Sequence, residues 1–252
     1  MNFFVREDSV VRRIWGKADT ILFIFAGASA EFALNKAVDW LYYTGKIPSD
    51  PLGRLFSTVD YARMIVFSPE EQALQAIDRM NAIHGSIESS RGDKIPDWAY
   101  RDVLFMLIDY SIRAFEVLER PLTRPEKEET FDVFYRVGAR MAIRGLPQTY
   151  DQWLVMREEH LRENLAKSHF TVDLYKQYRK HLGPVRFLLL LQAQSLVTPR
   201  IVGQYLSLSR GTLISLILPV YKLSRRFGMD RLIKKLILPP AYQQQINNLD
   251  RV

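Results

Sequence analysis

The chain has 252 residues, of which 48% are hydrophobic and none is cysteine. This composition is sufficient for a large buried core and is not that of a disordered chain. The absence of cysteine excludes disulfide scaffolds, thiolate-bound zinc, iron–sulfur clusters and cysteine nucleophiles. Any metal must therefore be held by oxygen ligands or by one of the four histidines, His84, His160, His169 and His181.

Positive charge is concentrated near the C-terminal end. The net charge is +7, and residues 199–252 contain nine Lys or Arg against only Asp230 and Asp250. Residues 1–198 therefore sum to zero. We expect residues 1–198 to form a helical core and the basic residues 199–252 to pack on the same domain.

The chain starts without the cationic and apolar regions of a secretory signal. The most apolar early run, ILFIFAGASAEFAL (21–34), is interrupted by Glu31. It is too short for a membrane-spanning helix, which needs about 20 apolar residues. These features predict a protein that is cytoplasmic or peripheral to a membrane.

Helical periodicity covers nearly the whole sequence, and no alternating strand pattern of useful length occurs. Capping signals mark helix starts at Asp50-Pro51, Ser68-Pro69 and Thr149. The sequence therefore predicts an all-α fold formed by a single multi-helix domain. The predicted helices span 8–15, 19–43, 51–67, 69–87, 97–119, 125–144, 149–167, 171–181, 184–197, 199–208, 212–226 and 229–236.

In helix 51–67, Arg54 and Thr58 lie one turn apart on the border of an apolar stripe. An arginine at such a border can form a salt bridge or extend its stem along apolar surface. It can equally recognise a carboxylate such as a haem propionate. The stripe consists of Leu52, Leu55, Val59, Ala62 and Val66.

Helix 69–87 carries a histidine on its apolar face. Because His84 shares this face with Ala73 and Ile77, we expect its ring to point toward the core. Gly85 follows it, at a cost of about 1 kcal/mol of helix stability relative to alanine, which suggests that something bulky approaches closely. A buried neutral histidine bonded to a carbonyl or side chain explains the pattern. An imidazole ligand to a metal or haem iron explains it too.

The other histidines give weaker signals. REEHLREN (157–164) places acids around His160, but it lacks the repeated Glu-x-x-His spacing of a di-iron bundle. We predict a solvated helix face for this stretch. His169 and His181 lie at polar helix ends and are predicted to be surface residues.

Residues 210–236 mix bulky aliphatic side chains with Lys and Arg. This composition is typical of an interfacial helix attracted to anionic lipid, and also of a helix docked on the core with a solvated basic face. Few aromatic residues interleave with the basic ones and no binding motif appears, so no nucleic-acid partner is expected.

Several motifs together resemble one family. DPLGRLFST (50–58) is followed by IVF (65–67) and by a helix ending in HGSI (84–87). RPLTRPEKEE (120–129) and GLPQTYDQW (145–153) continue the likeness. The chain resembles the MpaB/rubber-oxygenase (latex clearing protein) family, most clearly over residues 20–165.

This resemblance implies a globin-like helical core that binds one b-type haem and uses O₂ to cleave isoprenoid double bonds. His84 then matches the axial haem-iron ligand, and Gly85 leaves room for the macrocycle. Arg54 and Thr58 match the pair that positions the propionate edge and serves the catalytic site. We therefore expect a haem-b-dependent oxygenase acting on an unsaturated or isoprenoid-type apolar substrate, close to an anionic membrane surface.

Three positions depart from the family pattern. Ser57 stands where rubber oxygenase has a lysine, and DVLFML (102–107) replaces a histidine-containing segment. Glu31 is a candidate for the catalytic glutamate only as an acid within an apolar helix. Two alternatives remain open: a non-catalytic haem-binding or membrane-peripheral protein, and a cofactor-free helical scaffold in which His84 is a buried polar residue.

Overall fold

The structure is a computed structural model that describes residues 2–43, 45, 50–208, 218, 219, 221 and 222, without the side chains of residues 51, 52 and 54–56. These residues form ten helices and no extended strand, which confirms the all-α prediction. The helices are α1 (Val10–Trp15), α2 (Ala18–Phe32), α3 (Asp39–Tyr43), α4 (Pro51–Phe67), α5 (Glu70–Arg91), α6 (Asp97–Leu118), α7 (Arg124–Arg140), α8 (Tyr150–Glu163), α9 (His169–Val197) and α10 (Arg200–Tyr205).

Helices α2 and α6 form the centre of the fold and make its most extensive helix–helix contact. Gly27 permits this close approach, because a Cβ atom there would lie 2.2 Å from Cδ1 of Tyr110. Trp15 of α1 is also fully buried, and its Nε1 donates a hydrogen bond of 3.1 Å to Ser111 Oγ on α6. Helices α1, α7, α8 and α9 pack around this central pair.

The predicted helix 19–43 is wrong as a single element, because α2 ends at Phe32 and α3 begins at Asp39. Asn35 diverts the chain: its Oδ1 accepts a hydrogen bond of 2.8 Å from the backbone N–H of Ala37. The backbone N–H of Ala166 also donates to the carbonyl of Leu34 at 2.7 Å. A side chain and a distant segment therefore replace the helical hydrogen bonds that the apolar periodicity predicted.

The predicted break between helices 171–181 and 184–197 is confirmed by the backbone of α9. Gly183 lies within α9 at φ 73° and ψ 172°, and Pro184 follows it. A positive φ favours glycine, and proline restricts the residue before it to non-helical angles. Helix α9 therefore turns a corner at Gly183.

The C-terminal residues that are described contact the core. Val202 of α10 is buried in a cluster with Ala30, Leu34 and Leu161. Tyr221 Oη donates a hydrogen bond of 3.1 Å to Asp19 Oδ2 at the start of α2. Of the basic segment 210–236, only residues 218, 219, 221 and 222 are described, so the predicted helix 229–236 and most of the predicted helix 212–226 lie outside the described residues. The division at residue 198 stays a prediction. Within the described ranges, no helix is both long and apolar enough to cross a lipid bilayer.

Candidate functional site: a half-buried histidine and a separate buried ionic network

His84 lies on the same face of α5 as Ala73 and Ile77, but the burial of this face decreases along the helix. Ala73 and Ile77 are fully buried, whereas Met80, His84 and Ile87 are half-buried and Ile83 is 45% exposed. The edge of the His84 ring packs against Tyr100 of α6, with ring centroids 5.3 Å apart and an interplanar angle of 87°. His84 is thus part of an apolar strip that continues from the core to the surface. We call Met80, Ile83, His84 and Ile87 the α5 strip.

Helix α4 precedes α5 and packs against it. Only Ser68 and Pro69 connect α4 to α5, and the two helices contact each other extensively. Counting outward from this connection in an antiparallel pair brings positions 54 and 58 roughly level with positions 84 and 80. Thr58 is half-buried and Ser57 is exposed, while the side chain of Arg54 lies outside the described part.

Packing among the described residues does not require a glycine at position 85. It is exposed, and a Cβ atom added to it would meet no described atom within 4 Å. Its predicted role of leaving room for a macrocycle stays a prediction.

A polar cleft of about 360 Å³ lies next to the α5 strip, where α5 ends and α6 begins. Tyr100 lines the cleft and contacts the His84 ring, and its Oη donates a hydrogen bond of 3.0 Å to Glu88 Oε1. Burial and the neighbouring Glu88 raise the pKa of Tyr100 above its usual value. The cleft is also lined by Lys94, Asp97 and Arg144.

The described residues contain no cluster of three or more acidic or histidine side chains that could hold a bare metal ion. Haem iron needs only one axial protein ligand, and an apolar surface suits the macrocycle. The half-buried imidazole of His84, flanked by Met80 and Ile87, fits the ligand side of such a site. Next to Gly85, no described residue forms a second wall that would face the macrocycle.

A second group of polar residues lies deep in the core, between α2, α6 and α8. Arg157 Nη2 donates hydrogen bonds to Glu31 Oε2 at 2.6 Å and to Asp109 Oδ2 at 2.9 Å, and Nη1 donates to Glu31 Oε1. Tyr110 Oη donates to Glu31 Oε2 at 2.7 Å. Arg113 Nε donates to Asp109 at 2.7 Å. The buried guanidinium of Arg157 and the partly exposed guanidinium of Arg113 thus pair with two buried carboxylates.

His160 extends this group, which we call the buried ionic network. Its Nε2 lies 3.2 Å from Glu31 Oε1, and its Nδ1 is paired with Asp102 Oδ1. Asp102 also accepts hydrogen bonds of 3.1 Å from Nδ2 of Asn35 and of Asn164. Burial lowers the pKa of His160, but the hydrogen bonds with Asp102 and Glu31 outweigh burial and raise it overall. Both ring nitrogens are engaged by carboxylates, so His160 cannot ligate iron without breaking the network.

The prediction of a solvated face at 157–164 holds for the acids of this stretch but is wrong for the face that carries His160. Arg157, His160 and Leu161 are 3–4% exposed. With the buried Trp153 they recur at positions i, i+4, i+7 and i+8, which is the spacing of a core-facing helix stripe. That periodicity could have identified the buried face of α8, although not the carboxylates that it meets, and the charged composition concealed it. Of the remaining histidines, His169 is exposed as predicted and His181 is half-buried.

Glu31 is a structural partner of Arg157 and does not share a site with His84. Burial raises the pKa of Glu31, but Arg157 and His160 outweigh burial and lower it to about 2. Glu31 contacts Tyr110 and His84 contacts Tyr100. These two tyrosines are ten positions apart on α6, about 15 Å along the helix axis. In this structure Glu31 is thus an ionised partner of Arg157 and no neighbour of His84.

Comparison with known proteins gives one result. The model of the ER-bound oxygenase mpaB/B′/rubber oxygenase catalytic domain matches residues 12–230. No curated protein and no solved structure shows a significant match to the chain. The match covers most of the chain and confirms the resemblance inferred from the sequence motifs. The chain therefore belongs to the mpaB/rubber oxygenase family of oxygenase catalytic domains.

Proposed function

We propose that the chain is a haem-b-dependent oxygenase that uses O₂ to oxidise an unsaturated or isoprenoid-type apolar substrate. Membership of an oxygenase family supports the reaction class. The observation that carries the haem assignment is the half-buried ring of His84 on the α5 strip, the surface-reaching apolar face described above. Among the histidines, His160 is fully engaged with carboxylates and His169 is exposed.

In this proposal each residue has a separate task. A nitrogen of His84 would hold the iron, and haem, when bound, would supply the chemistry that activates O₂. Arg54 and Thr58, one turn apart on α4, orient the propionate edge and serve as the catalytic pair. Met80, Ile83 and Ile87 offer apolar surface to the macrocycle and to an alkene chain.

A second candidate is a haem-binding protein without oxygenase activity. Ser57 favours it, because a serine hydroxyl cannot supply the ammonium group that a lysine would bring to this position. The engagement of Glu31 with Arg157 favours it as well, because a carboxylate with a pKa of about 2 is a weak base.

Titration of the purified protein with hemin tests both candidates. We expect a Soret band with one hemin per chain, and we expect His84→Ala to abolish it. His169→Ala is the matched control, because it removes an exposed histidine and should leave the band unchanged. Circular dichroism of both variants verifies that they are folded.

Oxygen uptake then separates the two candidates. The loaded protein should consume O₂ when polyprenyl lipids are added if it is an oxygenase. A Soret band without O₂ consumption leaves the haem-binding protein. If the wild-type protein shows no band, or His84→Ala keeps it, the haem assignment to His84 is wrong.

A further inference from the structure

The corner in α9 exposes apolar side chains. After Gly183 and Pro184 the helix resumes in a new direction, and Val185 is 70% exposed and Leu188 is 50% exposed. Residues three apart lie on the same side of a helix, so these two side chains form one apolar tip. Val185 is the most exposed large apolar residue of the described part of the chain.

Cations lie immediately before this tip. Arg179 and Lys180 are exposed in the last turn before the corner, and within the described ranges neither forms an ion pair. The sequence around them contains no opposing charge: between Asp173 and Asp230 there are nine Lys or Arg and no Asp or Glu. We call Arg179, Lys180, Val185 and Leu188 the corner surface.

We propose that the corner surface docks on an anionic lipid bilayer, with Val185 and Leu188 inserted among the headgroups and Arg179 and Lys180 bound to lipid phosphates. An apolar tip flanked by cations is the composition of interfacial membrane anchors. A long stretch without acids strengthens the attraction to a negatively charged leaflet. This inference is independent of haem binding, because it uses only the surface of α9.

The apolar tip favours lipid over nucleic acid. Single-stranded nucleic acid is bound by cations together with stacking aromatic rings, and a duplex is bound by cations on its phosphates. Neither surface gains from exposed valine and leucine. The two aromatic residues that adjoin the corner surface in sequence are Tyr178, which is buried, and Phe187, which is half-buried and packs against the cluster around Leu174 and Tyr178. The corner surface therefore offers cations and aliphatic groups but no exposed ring.

Vesicle co-sedimentation of the full chain tests the proposal. We expect binding to vesicles of phosphatidylcholine containing one third phosphatidylserine, and little binding to phosphatidylcholine alone. Val185→Ser with Leu188→Ser should weaken binding roughly tenfold. Arg179→Ala with Lys180→Ala should weaken binding and reduce its dependence on salt.

The chain offers a matched control on α8. Val155 is 60% exposed and Leu154 is 39% exposed, so Leu154→Ser with Val155→Ser removes the same two kinds of side chain from another surface. This control should bind vesicles as the wild type does. The Tm of the corner variant should fall no further than that of the control.

Four outcomes overturn the proposal. The wild type could fail to bind anionic vesicles, or the α8 control could lose as much binding as the corner variant. Binding of a DNA duplex that depends on Arg179 and Lys180 but not on Val185 and Leu188 would assign the surface to nucleic acid. A Tm of the corner variant well below that of the control would show that Val185 and Leu188 are covered by the chain itself.

Discussion

Arg157 and Glu31 form a two-pronged ion pair in the centre of the protein. Two guanidinium nitrogens donate to the two carboxylate oxygens, and both side chains are almost completely buried. Removing one partner of such a pair leaves the other buried charge with less counter-charge and without solvent to replace it. The pair therefore links α2 to α8, and it stabilises their packing only when both charges are present.

Replacing Glu31 by glutamine should destabilise the protein strongly. The amide keeps the shape but leaves the guanidinium of Arg157 short of a counter-charge, so we expect a loss of about 3–5 kcal/mol in the free energy of unfolding. Urea denaturation measures it. Glu158→Gln is the control, because Glu158 is paired with Arg162 on the exposed side of the same helix as Arg157. The control should leave the denaturation midpoint unchanged. Equal midpoints for the two variants would show that the buried pair does not stabilise the fold.

Stability should depend on pH through His160. Its folded-state pKa is raised above the ordinary value of 6.5. The charged imidazolium therefore contributes stability that is complete below pH 6.5 and is lost as pH rises through the folded-state pKa. Urea denaturation at a series of pH values should show this decline for the wild type and a flatter profile for His160→Gln. His169→Gln, at an exposed histidine, should retain the wild-type profile; a wild-type stability that rises over this range would contradict the raised pKa.

The free energy of unfolding should also decrease at acidic pH, because the pKa of Glu31 is lowered from 4.5 to about 2 in the folded state. The stability contributed by its carboxylate is present above pH 4.5 and is lost as pH falls toward 2. The Glu31→Gln variant should lack this part of the acid transition. An identical acid profile in wild type and variant would mean that other carboxylates account for it.

Replacing Gly27 and Gly85 by alanine should change the stability of the protein in opposite directions. At Gly27 a Cβ atom would lie 2.2 Å from the ring of Tyr110, so Gly27→Ala should destabilise by roughly 1–3 kcal/mol through overpacking. At Gly85 a Cβ atom meets nothing, and Gly85→Ala should stabilise by up to about 1 kcal/mol through helix propensity. Thermal denaturation of both variants checks the signs. A stabilised Gly27→Ala would contradict the close packing of α2 on α6.

Gly85→Ala also tests the role that the family resemblance implies for this glycine. If the glycine leaves room for the macrocycle, the variant should bind hemin more weakly even though the protein without haem becomes more stable. Parallel hemin titrations of wild type and variant measure the difference. Unchanged hemin affinity would show that Gly85 is not needed for space.

The fold could be predicted where local sequence signals, such as a capping motif or a Gly-Pro pair, determine the structure. The helix over 51–67 follows from Asp50-Pro51 and an apolar stripe, and the break in α9 follows from Gly183-Pro184. The division of helix 19–43 was not predictable from periodicity. It depends on Asn35, which caps the turn and donates to Asp102, a residue far away in the sequence.

The site was predictable only in part for a related reason. The position of His84 on an apolar face can be derived from spacing along one helix. The burial of Arg157 and His160 depends on carboxylates that come from α2 and α6, and no local pattern shows which charges will meet. A solvated helix face and a buried charged face have the same composition, and the difference lies in the periodic position of Trp153 and Leu161.

The order in which these charges occur along the chain limits which fragments can fold. Glu31 and Arg157 are separated by 126 positions, with Asp109 between them. A polypeptide truncated before α8 would bring Glu31 and Asp109 into the interior with the partly exposed Arg113 but without the buried Arg157. We therefore expect a fragment that ends before α8 to be less stable than one that extends from α2 through α8.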